Sequence, residues 1–187
     1  MKKSLGAKPM LFPTPVLIVG TYDKDGNPNA MNAAWGGICS STPPCIAVSI
    51  RSATYSHGNI IEKMAFTINV ASEKYIKEAD YFGMVSGRNE NKFIKTRLTP
   101  VKSDFIDAPY IEEFPLVIEC KVIQIVEIGI HTQFIGEILD IKADEKVLGQ
   151  DSVDIKKIMP LIFSTGDRCY YAVGEKLGDA FSVGKDI

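Results

Sequence analysis

The sequence has few of the features that mark membrane, secreted or nucleic-acid-binding proteins. Its 187 residues include only four cysteines and two histidines, and 21 basic residues are balanced by 23 acidic ones. No Lys/Arg cluster provides the broad basic footprint that holds nucleic acid. No apolar run approaches the roughly 20 residues that span a bilayer, and MKKSLGAKPM is not followed by a signal-peptide hydrophobic region. We therefore expect a cytoplasmic chain without nucleic-acid or membrane partners.

The cysteines and histidines do not form a recognisable metal or redox motif. The four cysteines lie in or beside apolar runs without CxxC spacing: Cys39, Cys45, Cys120 and Cys169. This pattern predicts buried, reduced thiols rather than a zinc site or a redox dithiol. With only two histidines, a multi-histidine metal site within one chain is not expected.

Common catalytic signatures are also missing. The sequence has no GxGxxG after a strand, and no GxxxxGK[ST], HExxH or GxSxG. This argues against the usual dinucleotide, nucleoside triphosphate, zinc-protease and hydrolase-elbow sites. A binding surface is a better expectation than a nucleophile.

The order of apolar and turn segments predicts a mainly β fold. PVLIVGTY is followed by DKDGNPN, whose glycine and proline predict a hairpin with its second arm near Asn29. Further strands are predicted at residues 45–51, 65–71, 114–129, 131–143 and 168–174, and helices at 56–64 and 72–85, capped by Ser56 and Ser72. Six or seven strands with two or three short helices favour an antiparallel barrel within a single domain, residues 1–187, over a doubly wound sheet.

The long strand 114–129 carries a more specific signal. Its apolar positions alternate at Leu116, Ile118, Cys120 and Val122, and the phase then slips to Ile123. Such a slip predicts a β-bulge or a change of the surface that covers the strand. Apolar residues on both faces of 116–126 and 134–141 also predict self-association.

One stretch is typical of a binding site for a planar ligand. NAMNAAWGGICSSTPPCIAVSIR places the only tryptophan, Trp35, among small residues whose backbone groups stay accessible to the edge of a flat heterocycle. Downstream, Arg51, Thr54 and Ser56 lie between a strand and a helix start, where a guanidinium, hydroxyls and backbone N–H groups hold a phosphate. Lys92 supplies a second cation. A ligand with a flat ring, a polar chain and a phosphate would suit these groups, and this combination indicates FMN.

Each of these residues also has a purely structural interpretation. Trp35 also suits a core or interface position, Arg51 a solvated strand end, and the Ser/Thr run a set of turns. His131 at the start of a strand suits a partly exposed polar end position. The residues taken singly leave both interpretations open.

The order of the segments adds a family resemblance. TPVLIVGTYDKDGNPNAMNAAWGGICSSTPPCIAVSIRSATYSHGNI, then FTINVA, SGRNENKF, HTQFIGEI and YYAVGEKLGDAFSVGK, together resemble the flavoredoxin group of flavin reductase-like proteins. The resemblance runs from about residue 10 to residue 185 and is most specific in the early stretch. It implies a Greek-key-type split β-barrel that binds FMN without a covalent bond, usually as a homodimer with the flavin near the subunit boundary.

The resemblance also implies roles for individual residues. Those beside the flavin ring and its sugar-like chain are Asn32, Ala33, Ala34 and Trp35. Those that approach the ring edge through backbone groups are Cys39, Ser40 and Ser41. The phosphate clamp consists of Arg51, Thr54, Ser56 and Lys92. His131 lines the nicotinamide side and is the residue assigned to catalysis. No metal ligands are implied.

Two functions follow once the cofactor is accepted. The first is an oxidoreductase that takes a hydride from NADH or NADPH and passes electrons through FMN to a small acceptor or a redox protein. The second is an FMN electron carrier without a committed small substrate. A flavin-free barrel that only binds protein is a third interpretation.

Overall fold

The computed structural model describes residues 1–150, 152–185 and 187, and its architecture is dominated by antiparallel strands. In chain order the strands are β1 (Thr14–Pro15), β2 (Leu17–Tyr22), β3 (Pro28–Ala33), β4 (Gly36–Ser41), β5 (Pro44–Arg51), β6 (Ala65–Val70), β7 (Pro100–Lys102), β8 (Pro109–Ile111), β9 (Leu116–Ile128), β10 (His131–Ala143), β11 (Ile162–Ser164) and β12 (Cys169–Tyr171). The α-helices are α1 (Tyr55–Lys63), α2 (Ile76–Met84), α3 (Lys92–Thr96) and α4 (Ile155–Ile158). Short 3₁₀ helices cover Glu73–Tyr75 and Glu145–Val147.

The main sheet has seven strands in the order β3-β2-β6-β9-β10-β5-β4. It curls around a cluster of buried side chains that come from nearly all of its strands, among them Leu17, Ile46, Phe66, Val122 and Phe134. A second buried cluster joins the outside of the sheet to the helices and includes Ile18, Ala79, Phe82 and Phe93. The predicted antiparallel split barrel with short peripheral helices is confirmed.

Two local predictions, the hairpin that begins near Asn29 and the bulge in the strand 114–129, are also confirmed. β2 and β3 form the predicted hairpin, with Tyr22 opposite Pro28. In the β9–β10 pair, Val122 lies opposite Gly136 and Gln124 opposite Ile135, so Ile123 is the extra residue of a bulge. The slip in the apolar pattern therefore marked a real irregularity of the ladder.

Several finer predictions were wrong. The N-cap of α1 is Thr54, whose hydroxyl accepts from the backbone N–H of His57, and not Ser56. Ser72 precedes the first 3₁₀ helix without making a side-chain cap bond. Cys45 and Cys120 are buried free thiols as expected, but Cys39 and Cys169 are exposed. Strand β4 was not predicted, because its Gly, Cys and Ser residues lack the β-branched character on which strand prediction depends.

The connection from β3 to β4 crosses between the two edges of the main sheet and contains two of the predicted site residues. These two strands are opposite edges of the sheet, yet only Ala34 and Trp35 separate them in the chain. The backbone N–H of Ser49 on β5 donates to the carbonyl of Trp35 at 2.8 Å, which fixes this connection against the barrel. No helix in the described part of the chain is both long and apolar enough to cross a membrane.

Candidate functional site

A cleft of about 320 Å³ opens beside the free edge of β3, and we call it the polar cleft. It is lined by side chains of β3, by the start of α1, and by the end of α2 with the loop that follows. These are Asn29, Met31, Asn32, residues 53–56, residues 82–88 and Lys92. Four of the predicted site residues, Asn32, Thr54, Ser56 and Lys92, therefore line one cavity.

Lys92 is the most unusual residue of the polar cleft. It is only 4 % exposed, and its ammonium donates to the carbonyls of Ala30 at 2.7 Å and Phe82 at 3.0 Å. No ion pair within residues 1–150, 152–185 and 187 includes this group. Burial lowers the pKa of Lys92 to about 8. An ammonium has three donors, so one remains for a ligand, and a buried cation without a carboxylate favours an anion beside it.

The first turn of α1 supplies further donors. The hydroxyl of Thr54 donates to the carbonyl of Arg51 at 2.9 Å, so Thr54 contributes the cap rather than a free O–H group. Ser56 is buried, and its Oγ accepts from Asn29 Nδ2 at 2.8 Å, which leaves its own proton available. The N–H groups of a first helical turn have no partner within the helix and attract anions.

Arg88 is a cation of the polar cleft that the sequence analysis missed. Its Nη1 donates to the carbonyl of Ala53 at 3.0 Å, and its guanidinium lies 5.4 Å from the centroid of the Tyr55 ring. It is thereby held beside the start of α1. The only signal in the sequence was its place in SGRNENKF, four residues before Lys92.

Two asparagines of β3 line the polar cleft. Asn29 is 4 % exposed, and its Oδ1 is buried with no hydrogen-bond partner among the described residues. A Cβ at Gly87 would lie 2.2 Å from that oxygen, so only glycine allows the loop to approach so closely. Asn32 places both hydrogens of Nδ2 on protein acceptors, Ala79 O and Tyr170 Oη. Its Oδ1 is left for a ligand.

A larger cleft of about 650 Å³ lies at the β3–β4 crossing itself, and we call it the tryptophan cleft. Its walls are most of residues 8–15, residues 34–38, Ala47, Ser49, Gln133 and Thr165. The predicted residues Ala34 and Trp35 are among them. Trp35 is 40 % exposed, which leaves part of its ring open to a ligand.

His131 connects Trp35 to Arg51. The rings of Trp35 and His131 have centroids 4.7 Å apart at an interplanar angle of 34°. His131 also begins β10 directly opposite Arg51, the last residue of β5. The three predicted residues are thus neighbours, although neither His131 nor Arg51 lines either cleft.

The remaining predicted residues lie outside the two clefts. Ala33 is buried in the barrel core at the end of β3. Cys39, Ser40 and Ser41 belong to the edge strand β4, where Ile38 pairs with Ile46 and Ser40 with Cys45, so Cys39 is the extra residue of a bulge. The structure therefore brings together part of the predicted set and leaves residues 39–41 on the neighbouring edge.

The fold agrees with the result of a family comparison. The model of the family described as "Flavin reductase like domain" matches residues 10–172. The match covers most of the chain, and the protein belongs to this family.

Individual proteins give a finer comparison. The structure is similar to flavoredoxin of Desulfovibrio vulgaris (Miyazaki F), with a TM-score of 0.94, 55% identity, and coverage of 99% of this chain and 100% of that one. It is also similar to flavoredoxin from Methanosarcina acetivorans, with a TM-score of 0.93, 30% identity, and coverage of 100% and 99%. An uncharacterized protein of Archaeoglobus fulgidus is 35% identical over 148 residues, which cover 79% of this chain and 82% of that protein.

Proposed function

We propose that this protein binds FMN without a covalent bond and acts as an oxidoreductase that moves electrons from NADH or NADPH to a small acceptor or a redox protein. Membership of the flavin reductase-like family and the similarity to two flavoredoxins support this proposal. The observation that carries it is the polar cleft, where Lys92 is buried and forms an ion pair with no carboxylate in the part of the chain that the structure describes. A phosphate is the kind of group that such a cation requires.

The residues present fit the parts of FMN. Lys92, Arg88, the Ser56 hydroxyl and the first turn of α1 suit the phosphate. The free Oδ1 of Asn32 suits a hydroxyl donor of the ribityl chain. Trp35 and the accessible backbone at Gly36 and Gly37 suit a flat ring.

Bound FMN would supply the redox chemistry, since its ring accepts a hydride or single electrons. The protein's own part is to bind and orient the cofactor. A Cβ at Gly36 would lie 2.6 Å from the Ala47 carbonyl, so this glycine keeps the crossing close to β5. His131, whose ring lies beside that of Trp35, is the residue we assign to the nicotinamide side. His131 is not required to act as a general acid or base.

An anaerobic mixing experiment tests the proposal. The purified protein is loaded with FMN and mixed with NADH or NADPH while the visible absorbance of the flavin is followed. Rapid bleaching supports the reductase. Bound flavin that is indifferent to both nucleotides but is reduced by a redox protein supports the carrier. Failure to bind added FMN rejects both functions and leaves a protein-binding barrel.

We also propose that a second copy of the chain covers the exposed part of β9 and β10. The pairing of β6 with β9 ends at Ala65 and Lys121, so that among the described strands the far half of β9 pairs with β10 alone. The exposed apolar side chains of this region are Ile123, Ile125, Ile128, Ile130, Leu139 and Ile141. Exposed apolar side chains in such number are typical of an interface, and cyclic dimers are the commonest assembly.

Sedimentation equilibrium tests the dimer. We expect a mass of twice 20.5 kDa for the wild type and a shift to monomer for Ile125→Glu, because an unpaired carboxylate is costly in a closed interface. Ile155→Glu, at an exposed apolar position of α4, is the matched control and is expected to remain dimeric. A monomeric wild type would reject the proposed interface.

A further inference from the structure

The side chain of Asn32 is held by residues that lie far from it in the sequence. Its Nδ2 donates to the carbonyl of Ala79 on α2 at 3.0 Å and to the hydroxyl of Tyr170 on β12 at 3.2 Å. Tyr170 in turn donates from the same hydroxyl to Asp80 Oδ1 at 2.9 Å. A chain of hydrogen bonds thus runs from the carboxylate of Asp80 through Tyr170 to the amide of Asn32.

These hydrogen bonds fix which end of the Asn32 amide faces the polar cleft. A backbone carbonyl only accepts, so the atom that faces Ala79 O has to be the nitrogen of the Asn32 amide. The hydroxyl of Tyr170 gives its one proton to Asp80 and therefore accepts from Asn32. Burial first, and the hydrogen bond to Asp80 second, raise the pKa of Tyr170 to about 12, so the hydroxyl keeps its proton at neutral pH.

The surroundings leave Asn32 little freedom to rearrange. A Cβ at Gly83 would lie 3.3 Å from Asn32 Cβ, which shows how closely α2 packs against this side chain. With both hydrogens used, Asn32 offers the cleft an acceptor and no donor. A ligand group that it recognises must be a hydrogen-bond donor, such as an alcohol.

We propose that Tyr170 and Asp80 are positioning residues that aim the Oδ1 of Asn32 at a hydroxyl of the ligand's polyol chain. The assignment rests on the proposed function, because it takes FMN as the ligand. It gives the small sheet of β1, β11 and β12 a role in cofactor recognition. In the chain, Tyr170 lies 138 residues from Asn32.

The test compares flavins with and without the polyol chain. Dissociation constants of FMN, riboflavin and lumiflavin are measured by flavin fluorescence for the wild type and Tyr170→Phe. Losing the partner that orients Asn32 should weaken FMN and riboflavin about tenfold and leave lumiflavin, which has no polyol hydroxyls, unchanged. Tyr171→Phe is the matched control, because Tyr171 is exposed and its hydroxyl donates to Asp167, which is not in the polar cleft, so we expect no change.

Two further variants separate positioning from packing. In an Asn32→Ala background, Tyr170→Phe should have no additional effect on FMN affinity, since Tyr170 acts through Asn32. Asp80→Ala, at an exposed position, should reproduce the loss even if Tyr170→Phe does not fold, and Asp80→Asn should restore most of the affinity by keeping an acceptor.

The outcomes are distinct. Three results for Tyr170→Phe would overturn the positioning role and leave the proposed function standing. The substitution weakens lumiflavin binding as much as FMN binding, it weakens FMN binding further in the Asn32→Ala background, or it leaves the dissociation constants of all three flavins unchanged. A wild type that does not bind FMN would overturn the proposed function and the positioning role together.

Discussion

The polar cleft and the tryptophan cleft differ in how they are built. The polar cleft, about 320 Å³, is assembled from segments far apart in the chain and concentrates buried donors, acceptors and two cations. The tryptophan cleft, about 650 Å³, is lined largely by residues 8–15 and 34–38 and presents mostly apolar and small side chains. The first is suited to recognise charge and hydroxyl groups, and the second to recognise shape. Variants that separate these two kinds of recognition test the comparison.

The largest effect is expected at Lys92. Lys92→Met keeps the length of the side chain but removes the buried charge, and hydrogen bonds to charged groups contribute about 1.5–3 kcal/mol, so FMN should bind about 10- to 100-fold more weakly. Riboflavin, which lacks the phosphate, should lose much less. Isothermal titration with both ligands measures the difference. Lys95→Met is the control, since Lys95 is exposed on the same helix and pairs with Glu90. Equal losses for the two flavins would contradict the assignment of Lys92 to the phosphate.

The next effect is a pH dependence of about tenfold. Because the pKa of Lys92 is lowered to about 8, the unliganded protein loses this charge as the pH rises through that value. The FMN dissociation constant should therefore increase about tenfold between about pH 7 and pH 9, whereas that of Lys92→Met should stay flat. A dependence of the same size in the variant would assign it to another group.

The same shift has a consequence for stability. The unfolded chain keeps the Lys92 proton up to about pH 10.4, so between about pH 8 and that value it binds more protons than the folded state. The contribution of Lys92 to the free energy of unfolding should then rise with pH across this interval. Urea titrations of wild type and Lys92→Met at pH 7 and pH 9.5, approximate points on either side of the lowered pKa, measure it. A difference between the proteins that does not change with pH would contradict the assignment.

A smaller and non-selective effect is expected at Trp35. Trp35→Ala removes the ring that borders the tryptophan cleft and should weaken FMN and riboflavin equally, by about tenfold or less. Fluorescence titration of both flavins checks this. Phe105→Ala, an exposed aromatic residue outside both clefts, is the control. Selective loss of FMN alone would erase the distinction between the clefts.

The smallest effects are expected at the two arginines. Arg88→Ala should weaken FMN about two- to fivefold, because an exposed charge is screened by water. The resemblance assigns Arg51 to the phosphate clamp, and Arg51→Ala should also weaken FMN, by less than Arg88→Ala, because Arg51 lies outside the polar cleft. The two dissociation constants at low salt give the order. The reverse order would make Arg51 the main guanidinium of the clamp.

Local patterns in the sequence predicted more of the fold than of the candidate site. The β2–β3 hairpin followed from Gly26 and Pro28, and the bulge at Ile123 followed from a slip in a period of two, since both depend on neighbouring residues. The cap of α1 was misassigned because two hydroxyl residues, Thr54 and Ser56, stood within one turn of the helix start.

The candidate site depended on tertiary contacts that no local pattern reveals. Lys92 was proposed as a cation, but its burial against Ala30 and Phe82 follows only from the packing of α2 and α3 on β3. An arginine in a polar loop looks solvated, so Arg88 carried no signal of its own. Tyr170 reaches Asn32 only because the folded chain brings β12 against α2.

The free edge of β3 carries a second consequence. An unpaired strand edge is a template on which another extended peptide can add, which is a route to aggregation. Here the ammonium of Lys92 donates a hydrogen bond to the Ala30 carbonyl, and the segment around Gly87 packs against Asn29. The groups that shape the polar cleft therefore obstruct this edge of β3. The residues that line the polar cleft therefore also keep the edge of β3 from pairing with an extended peptide.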